Sequence, residues 1–288
     1  MTDHDLHGWT RPGPLPPGGL EPGEGETLDR LCGHWRIFQL ARGHRNSVDD
    51  QLAAWWGTRW CPHPARIADL GSGIGSVALM AAWKCPGARL HTIEAQAASV
   101  DLARRSIRYN GLEARCTAHH GDLRDGDALS SRSPFDLVFG TPPYWPQGTK
   151  VPAGHPQAVP ARLELRGGIE DYATAAARLL APGGLFACVF PNDQRSRARA
   201  AFPAAGLVLL HLLDARFKEG EPYGLLLLAG GRAADLPEGL GREPLEHPPH
   251  TIRDRAGRFT RDHAAVRLAM GFPPGRSPDT CLSTNQEL

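Results

Sequence analysis

A glycine-rich turn at residues 69–75 and two acidic residues further along the chain have the types and spacing of a nucleoside-binding site. Glycines between a strand and a helix let the backbone approach a ligand and point the first N–H groups of the helix at it. Glu94 ends the next apolar run, where a carboxylate can accept from both hydroxyls of a ribose. Asp122 follows a third run, where it can accept from an adenine amino group. Each turn alone is equally typical of an ordinary strand-to-helix connection, but the three together predict one nucleoside crevice.

The glycine spacing is GxGxG, so the third glycine comes one residue earlier than in the dinucleotide fingerprint GxGxxG. Short apolar runs alternating with helical patterns position the three turns. They predict strands at 66–70, 90–93, 115–119, 135–139, 185–190, 207–213 and 223–229, and helices at 76–84, 97–109, 169–180 and 194–204, with a turn at 182–184. Such alternation implies crossover connections and a parallel sheet. The connection between the last two strands is short for a crossover helix, so we expect an antiparallel hairpin at the end of the sheet.

Elements outside this alternation are also expected. Ser47 is a helix N-cap type with Asp50 at the third helical position, and Gly57 closes the pattern. Residues 251–253 are a candidate strand and residues 262–270 a candidate short helix.

The glycine turn, Glu94 and Asp122, in this order and at these strand ends, resemble the class I S-adenosylmethionine-dependent methyltransferases over residues 27–230. The resemblance implies an α/β fold with a doubly wound, mostly parallel seven-stranded sheet and an antiparallel last strand. It also implies S-adenosyl-L-methionine as cofactor and no metal. The cofactor-binding residues it assigns in these turns are Asp69, Gly71, Gly73, Gly75, Glu94 and Asp122. Because the sulfonium already carries an activated methyl group, the protein mainly positions a nucleophile in line with it.

The four residues after the 135–139 strand resemble the (Asn/Asp/Ser)-Pro-Pro-(Tyr/Phe) motif of methyltransferases that modify planar amino groups, namely adenine N6, cytosine N4 and protein glutamine N5. They are Thr141, Pro142, Pro143 and Tyr144. An exocyclic amine is a poor nucleophile because its lone pair is delocalised. A side-chain acceptor and the carbonyl of the first proline can bind its two hydrogens, and the aromatic ring can stack on the substrate plane. Thr141 stands where Asn or Asp is usual, and its hydroxyl reaches less far than an amide.

The wider similarity is to the bacterial family that methylates N6 of an adenine in the anticodon loop of a valine tRNA. Residues 43–50 resemble the family motif near the methionine end of the cofactor, which adds Ser47 and Asp49 to the cofactor-binding set. Residues 218–222 resemble the loop before its final strand. Residues 155–157 and 164–168 look like a substrate-facing insert. The substrate-binding residues expected here are Trp145, Lys150, His155, Arg162 and Arg166. RNA, as a tRNA anticodon stem-loop, is the implied partner.

A second basic stretch, Arg195, Arg197 and Arg199, follows on a predicted helix. Such a run is either a nucleic-acid contact or a solvated face, and the sequence does not decide between them.

Composition limits the function classes only broadly. The 288 residues include 32 Lys+Arg and 31 Asp+Glu, so any polyanion site must be a local patch. The N-terminal residues lack the pattern of an export signal, and apolar runs are far short of the roughly 20 residues of a membrane helix. Six widely spaced cysteines favour reduced thiols in a cytoplasmic protein. The pairs Cys61/His63 and His247/His250 are interpreted as loops, because two ligands do not close a tetrahedral metal site.

The expected organisation is a Pro/Gly-rich leader at 1–26, mobile or draped, a methyltransferase domain at 27–232, and a C-terminal extension at 233–288 packed on it. Three functions are compatible with these features. The first is methylation of an RNA base, and the second is methylation of a protein glutamine or a small metabolite, which Thr141 and the neutral net charge favour. The third is an inactive cofactor-binding interaction module, against which the intact glycine motif argues.

Overall fold

The computed structural model describes residues 8–132, 134–149, 155–237 and 243–275. Within these ranges the strands are β1 Glu26–Arg30, β2 Arg36–Leu40, β3 Arg66–Leu70, β4 Arg89–Glu94, β5 Cys116–His120, β6 Phe135–Gly140, β7 Leu180–Pro191, β8 Leu207–Lys218, β9 Leu225–Arg232 and β10 Leu245–Arg253. The helices are α1 Val48–Trp60, α2 Ser76–Lys84, α3 Ala97–Tyr109, α4 Ile169–Leu179, α5 Arg195–Ala204 and α6 Arg261–Ala269.

The main sheet is mixed and has its strands in the order β10-β8-β9-β7-β6-β3-β4-β5. Neighbouring strands are parallel except at β9, which is antiparallel to both β7 and β8. The predicted α/β class and antiparallel hairpin are therefore confirmed. The sheet has eight strands rather than seven, because β10 adds to β8 and takes over that edge.

Helices cover both faces of the sheet and bury its apolar side chains. On one face α1, α2 and α3 pack over side chains such as Phe139, and on the other α4 and α5 pack over side chains such as Val138. These adjacent residues of β6 face opposite ways because side chains alternate along a strand. Both are fully buried, so the strand that leads into the Pro-Pro sequence is held from both sides.

Two local predictions are corrected by the structure. Helix α1 does not end at Gly57 but continues to Trp60. The absence of a side chain at Gly57 makes room for the ring of Phe139, since a Cβ there would lie 2.2 Å from Cε1 of that ring. The turn expected at 182–184 lies inside β7, next to a register irregularity in its pairing with β6, and Gly183 has φ +73°.

The sequence did not predict the small antiparallel sheet of β1 and β2. Its strands are short and mixed in polarity. Strand β2 is fixed to α3, where the amide of Phe38 donates to Oγ of Ser106 at 2.9 Å. The segment that precedes β1 also lies against α3, because the amide of Gly18 donates to the carbonyl of Tyr109 at 3.1 Å.

The C-terminal part of the chain contributes to the main sheet. His247 and His250, expected in a loop, lie in β10 at a register irregularity. The two prolines between them are tolerated because an edge strand can leave some N–H positions unpaired. Helix α6 follows and contacts α1.

None of the helices in the described ranges has the length and apolarity to cross a bilayer. The same ranges contain no cluster of three or more His, Cys, Asp or Glu side chains arranged to hold a metal.

Candidate active site

Two adjoining clefts open at the carboxyl ends of β3 to β6. The first cleft has a volume of about 800 Å³, its open mouth included, and is lined by residues of the three turns at the ends of β3, β4 and β5. The second cleft, about 1070 Å³ on the same measure, lies against the start of α1 and the residues after β6. His44, Asp50, Thr141 and Ala161 line both clefts. A ligand in the first cleft can therefore meet one in the second.

The floor of the first cleft is the glycine turn. Gly71, Gly73 and Gly75 have φ of +59°, +54° and +83°, in the left-handed region that side chains rarely adopt. A Cβ on Gly71 would lie 1.9 Å from the hydroxyl of Tyr172, so this position excludes a side chain for a second reason. Gly75 lies further in as the N-cap residue of α2, packed against Ala103, and does not line the cleft.

The two predicted nucleoside-binding acids lie in the first cleft. The carboxylate of Glu94 accepts from the amide of Gly73 at 3.0 Å and from that of Gln96 at 2.7 Å, so it also fixes the glycine turn. Asp122 accepts from the guanidinium of Arg124 at 2.9 and 2.6 Å, and this hydrogen bonding lowers the pKa of Asp122. Both groups thus reach the cleft from fixed positions.

A buried carboxylate, that of Asp50, also lines the first cleft. Asp50 accepts from the hydroxyl of Ser76 at 2.8 Å and from the amide of Ser47 at 3.1 Å, which forms the capping box that begins α1. Burial raises the pKa of Asp50. A buried carboxylate with a raised pKa is stabilised by a cationic ligand group, because desolvation disfavours its charge until a cation is near.

Asp69 is 1% exposed beneath the glycine turn and lines neither cleft. Within the described ranges, both oxygens of its carboxylate are buried without a hydrogen bond of normal geometry, although the backbone amide of Ala78 still acts to lower its pKa. Burial, together with Asp50, raises its pKa well above the ordinary value.

The first cleft fits S-adenosyl-L-methionine by the chemistry of its donors and acceptors. Glu94 and Asp122 can accept from an adenosine, and left-handed glycines let the backbone approach the ligand. Asp50 lines the same cleft, and its buried carboxylate could accept from a charged ammonium group.

The Thr-Pro-Pro-Tyr sequence lies between the clefts. Thr141 borders both, Pro143 lines the first, and Pro142 and Tyr144 line the second. The hydroxyl of Tyr144 donates to Oδ2 of Asp49 at 2.6 Å. Burial raises the pKa of Asp49, and burial together with this carboxylate raises the pKa of Tyr144. Asp49 and Ser47, expected at the cofactor, line only the second cleft.

The residues expected to bind substrate are distributed unevenly. Trp145, 40% exposed, and Arg162 line the second cleft, and their backbones pair through the amide of Trp145 and the carbonyl of Arg162 at 2.9 Å. Arg166 lines the first cleft instead. His155 is exposed and lines neither, and Lys150 lies outside the described residues.

Gln157 contributes to the site in a way that its place in the 155–157 insert did not predict. Its Oε1 accepts from the amide of His44 at 2.6 Å, and its Nε2 donates to Oγ of Ser99 at 3.0 Å. This buried amide therefore connects the segment before α1 to α3 beside the first cleft. His44 lies in the 43–50 motif, where the resemblance assigns roles to Ser47 and Asp49 alone, yet it lines both clefts.

The basic run on α5 is neutralised by acidic side chains. Arg195 pairs with Asp214 and Glu246, and Arg199 pairs with Glu243 and Glu246. Arg197 binds Glu164 and Glu170. The run is therefore a network of ion pairs rather than a surface of free cations.

The amino-acid sequence is similar to the sequences of several methyltransferases. The sequence model of the methyltransferase small domain family matches residues 59–159. A tRNA1(Val) (adenine(37)-N6)-methyltransferase of Phocaeicola vulgatus is 30% identical over 162 residues, which cover 56% of this chain and 67% of that protein. A release factor glutamine methyltransferase of Bordetella pertussis is 28% identical over 195 residues, which cover 63% and 68%.

The fold is similar to that of solved structures. A predicted O-methyltransferase of Agrobacterium tumefaciens superposes with a TM-score of 0.56 at 17% identity, over 80% of this chain and 99% of that one. At this identity the similarity concerns the fold alone.

Proposed function

The chain belongs to the class I S-adenosylmethionine-dependent methyltransferases, and from this premise we propose that it methylates N6 of an adenine in tRNA. S-adenosyl-L-methionine is its methyl donor, and it supplies a methyl group activated by a sulfonium. The nucleophile must then come from a substrate in the second cleft.

The position of Thr141 carries the proposal. It borders both clefts, so a group bound there lies between the donor and the substrate. Its hydroxyl and the carbonyl of Pro142 can accept the two hydrogens of an exocyclic amine and hold the nitrogen toward the first cleft. The ring of Tyr144, fixed by Asp49, offers a face on which a planar base can stack.

The choice of RNA rests on the edge of the second cleft and on the similarity to tRNA methyltransferases. Trp145 is exposed at this edge, and Arg162 lies beside it. Arg166 is exposed nearby on the first cleft. An aromatic ring with arginines around it suits single-stranded nucleotides, which bind by stacking and phosphate contacts. The arginines of α5 are ion-paired, so the proposal is supported by Arg162 and Arg166 at the clefts rather than by α5.

A second candidate is the side-chain amide of a protein glutamine. Thr141 replaces the longer Asn or Asp, and the release factor glutamine methyltransferase of Bordetella pertussis covers a similar share of the chain. A glutamine amide is also planar and presents two hydrogens, so the same acceptors can hold it.

Methyl transfer from labelled S-adenosyl-L-methionine distinguishes the two candidates. We expect incorporation into tRNA, with the modified nucleoside identified by mass spectrometry as N6-methyladenosine, and none into a bacterial release factor. Thr141→Val serves as the control, because it keeps the shape of the side chain and removes the acceptor. Labelling of the release factor alone would replace the RNA proposal by the glutamine one.

A further inference from the structure

Arg197, on the exposed side of α5, is fully engaged by the protein itself. Its Nε donates to Glu170 at 2.7 Å, and its Nη2 donates to Glu164 at 3.0 Å and to Glu170 at 2.7 Å. Its Nη1 donates to Glu164 at 2.7 Å and to Oε1 of Gln194 at 3.0 Å. A guanidinium has five N–H donors, and each has an acceptor here. No donor is left for a phosphate.

The bond to Gln194 determines how that side chain is oriented. A guanidinium donates and never accepts, so the amide oxygen of Gln194 must face Arg197. The amide nitrogen must then point the other way, where it donates to the backbone carbonyl of Tyr144 at 2.6 Å. Arg197 thus sets the direction of a hydrogen bond made to the loop between the clefts.

The ion pair between Arg197 and Glu164 connects Arg197 to a second segment, residues 164–168, that also contacts this loop. Glu164, whose carboxylate is held by Arg197, donates its amide to the carbonyl of Trp145 at 2.9 Å. Gly168 lies directly beneath the ion pair, since a Cβ there would be 2.5 Å from Nη2 of Arg197 and 2.9 Å from the Glu164 carboxylate. The 164–168 segment and the Tyr144 loop are therefore held by one guanidinium.

We propose that Arg197 is a positioning residue, which acts through Gln194 and Glu164 to hold the Tyr144–Trp145 segment, and that it is not a contact for nucleic acid. The proposal rests on the proposed function in one respect, that Tyr144 faces the substrate. It deepens that function by assigning loop geometry to a residue whose sequence context is typical of an RNA-binding run.

Arg197→Lys and Gln194→Glu test the mechanism, with Arg199→Gln as the matched control on the same helix. A lysine keeps the charge but cannot serve three acceptors in one plane. A glutamate at 194 keeps an acceptor for Arg197 but presents no donor to the carbonyl of Tyr144. We expect both variants to lower kcat about tenfold, which corresponds to the loss of one well-formed hydrogen bond, with unchanged KM for tRNA and unchanged affinity for S-adenosyl-L-methionine. Arg199→Gln should match the wild type.

The salt dependence of KM would reveal the alternative role of Arg197, a direct contact to an RNA phosphate. A phosphate contact would make Arg197→Gln raise KM, reduce the slope of log KM against log salt, and be largely rescued by Arg197→Lys. That pattern would overturn the proposal.

A measurement without substrate keeps the inference separate from the proposed function. Hydrogen exchange of the peptide containing the amide of Trp145 should be faster in Gln194→Glu and Arg197→Lys than in Arg199→Gln or the wild type. If tRNA is not methylated by the wild type but exchange follows this order, the RNA assignment fails and the positioning role stands. Equal exchange in all four proteins would refute the positioning role whatever the substrate is.

Discussion

The hydroxyl of Tyr144 lies 2.6 Å from Oδ2 of Asp49 and joins the loop between the clefts to the first turn of α1 across 95 residues of sequence. Asp49 therefore fixes a ring that faces the proposed substrate, and it does so from the helix whose next residue, Asp50, lines the first cleft. Asp49 thus lines the second cleft alone, whereas the adjacent Asp50 borders both.

Tyr144→Phe tests this relationship. If the ring face alone mattered, the substitution would be silent. Because the hydroxyl is bonded to a partly buried carboxylate, we expect kcat to fall roughly tenfold, in line with about 1.5 kcal/mol for a hydrogen bond to a charged group. Steady-state methyl transfer measures it. Tyr223→Phe, on an exposed ring elsewhere, is the control, and a silent Tyr144→Phe would mean that stacking needs no anchor.

Glu94→Ala tests the first cleft. It removes an acceptor for ribose hydroxyls and releases the amides of Gly73 and Gln96. We expect the Kd for S-adenosyl-L-methionine to rise by about 10- to 100-fold, equivalent to roughly 1–3 kcal/mol. Titration calorimetry gives the value directly, with the exposed Glu113→Ala as control. An unchanged Kd in Glu94→Ala would contradict the assignment of this cleft to the cofactor.

Thr141→Asn tests the residue that departs from the usual motif. If an adenine is held at Thr141 as proposed, the longer acceptor reaches the amine directly, and activity on an anticodon stem-loop should be kept or raised. A substrate that approaches Thr141 more closely would be excluded by the larger side chain. Rates for the two proteins on the same stem-loop decide, and a large loss in Thr141→Asn alone would contradict the adenine geometry.

Asp69 predicts an unusual dependence of stability on pH. Because burial raises its pKa well above 3.8, the folded protein retains a proton that the unfolded chain releases near pH 4. The tighter binding of this proton by the folded protein adds to the free energy of unfolding. The added stability is complete below pH 4 and is lost as the pH rises through the raised pKa of Asp69. Asp69→Asn should therefore raise the Tm of the ligand-free protein at pH 8, by about 2–4 °C for each kcal/mol gained, and much less at pH 4.5.

Thermal unfolding followed at both pH values measures the difference. The exposed Asp127→Asn should change Tm little at either pH. An Asp69→Asn variant less stable than the wild type at pH 8 would show that the carboxylate is favourable where it lies.

Gly57→Ala tests the packing of α1 on the sheet. In an isolated helix the change would be favourable by about 1 kcal/mol. Here the new Cβ meets the ring of fully buried Phe139, and overpacking of this kind costs about 1–3 kcal/mol. We expect a lower Tm than the wild type, whereas Gly87→Ala, which has open space around it, should not lower it.

The sequence determined the parts of the site that depend on local pattern. Strand and helix periodicity, with the rule that parallel strands end at one edge, was enough to bring the glycine turn, Glu94, Asp122 and Thr141 together. The sequence also predicted the helix start at Ser47 and Asp50, because the three-residue spacing between these two residue types is typical of a capping box.

Only the tertiary structure decided which charges are paired and which elements meet at long range. The arginines of α5 have the sequence of a basic face, yet their partners come from distant segments such as Glu164 and Glu246. Gln157 and His44 are 113 residues apart and form a hydrogen bond beside the first cleft. The sequence predicted only residues 251–253 of β10, and the first part of the strand, which contains two prolines, is recognisable only from the edge it joins. Each of these contacts depends on packing between segments distant in the chain, and side-chain types in one segment do not specify their partners in another.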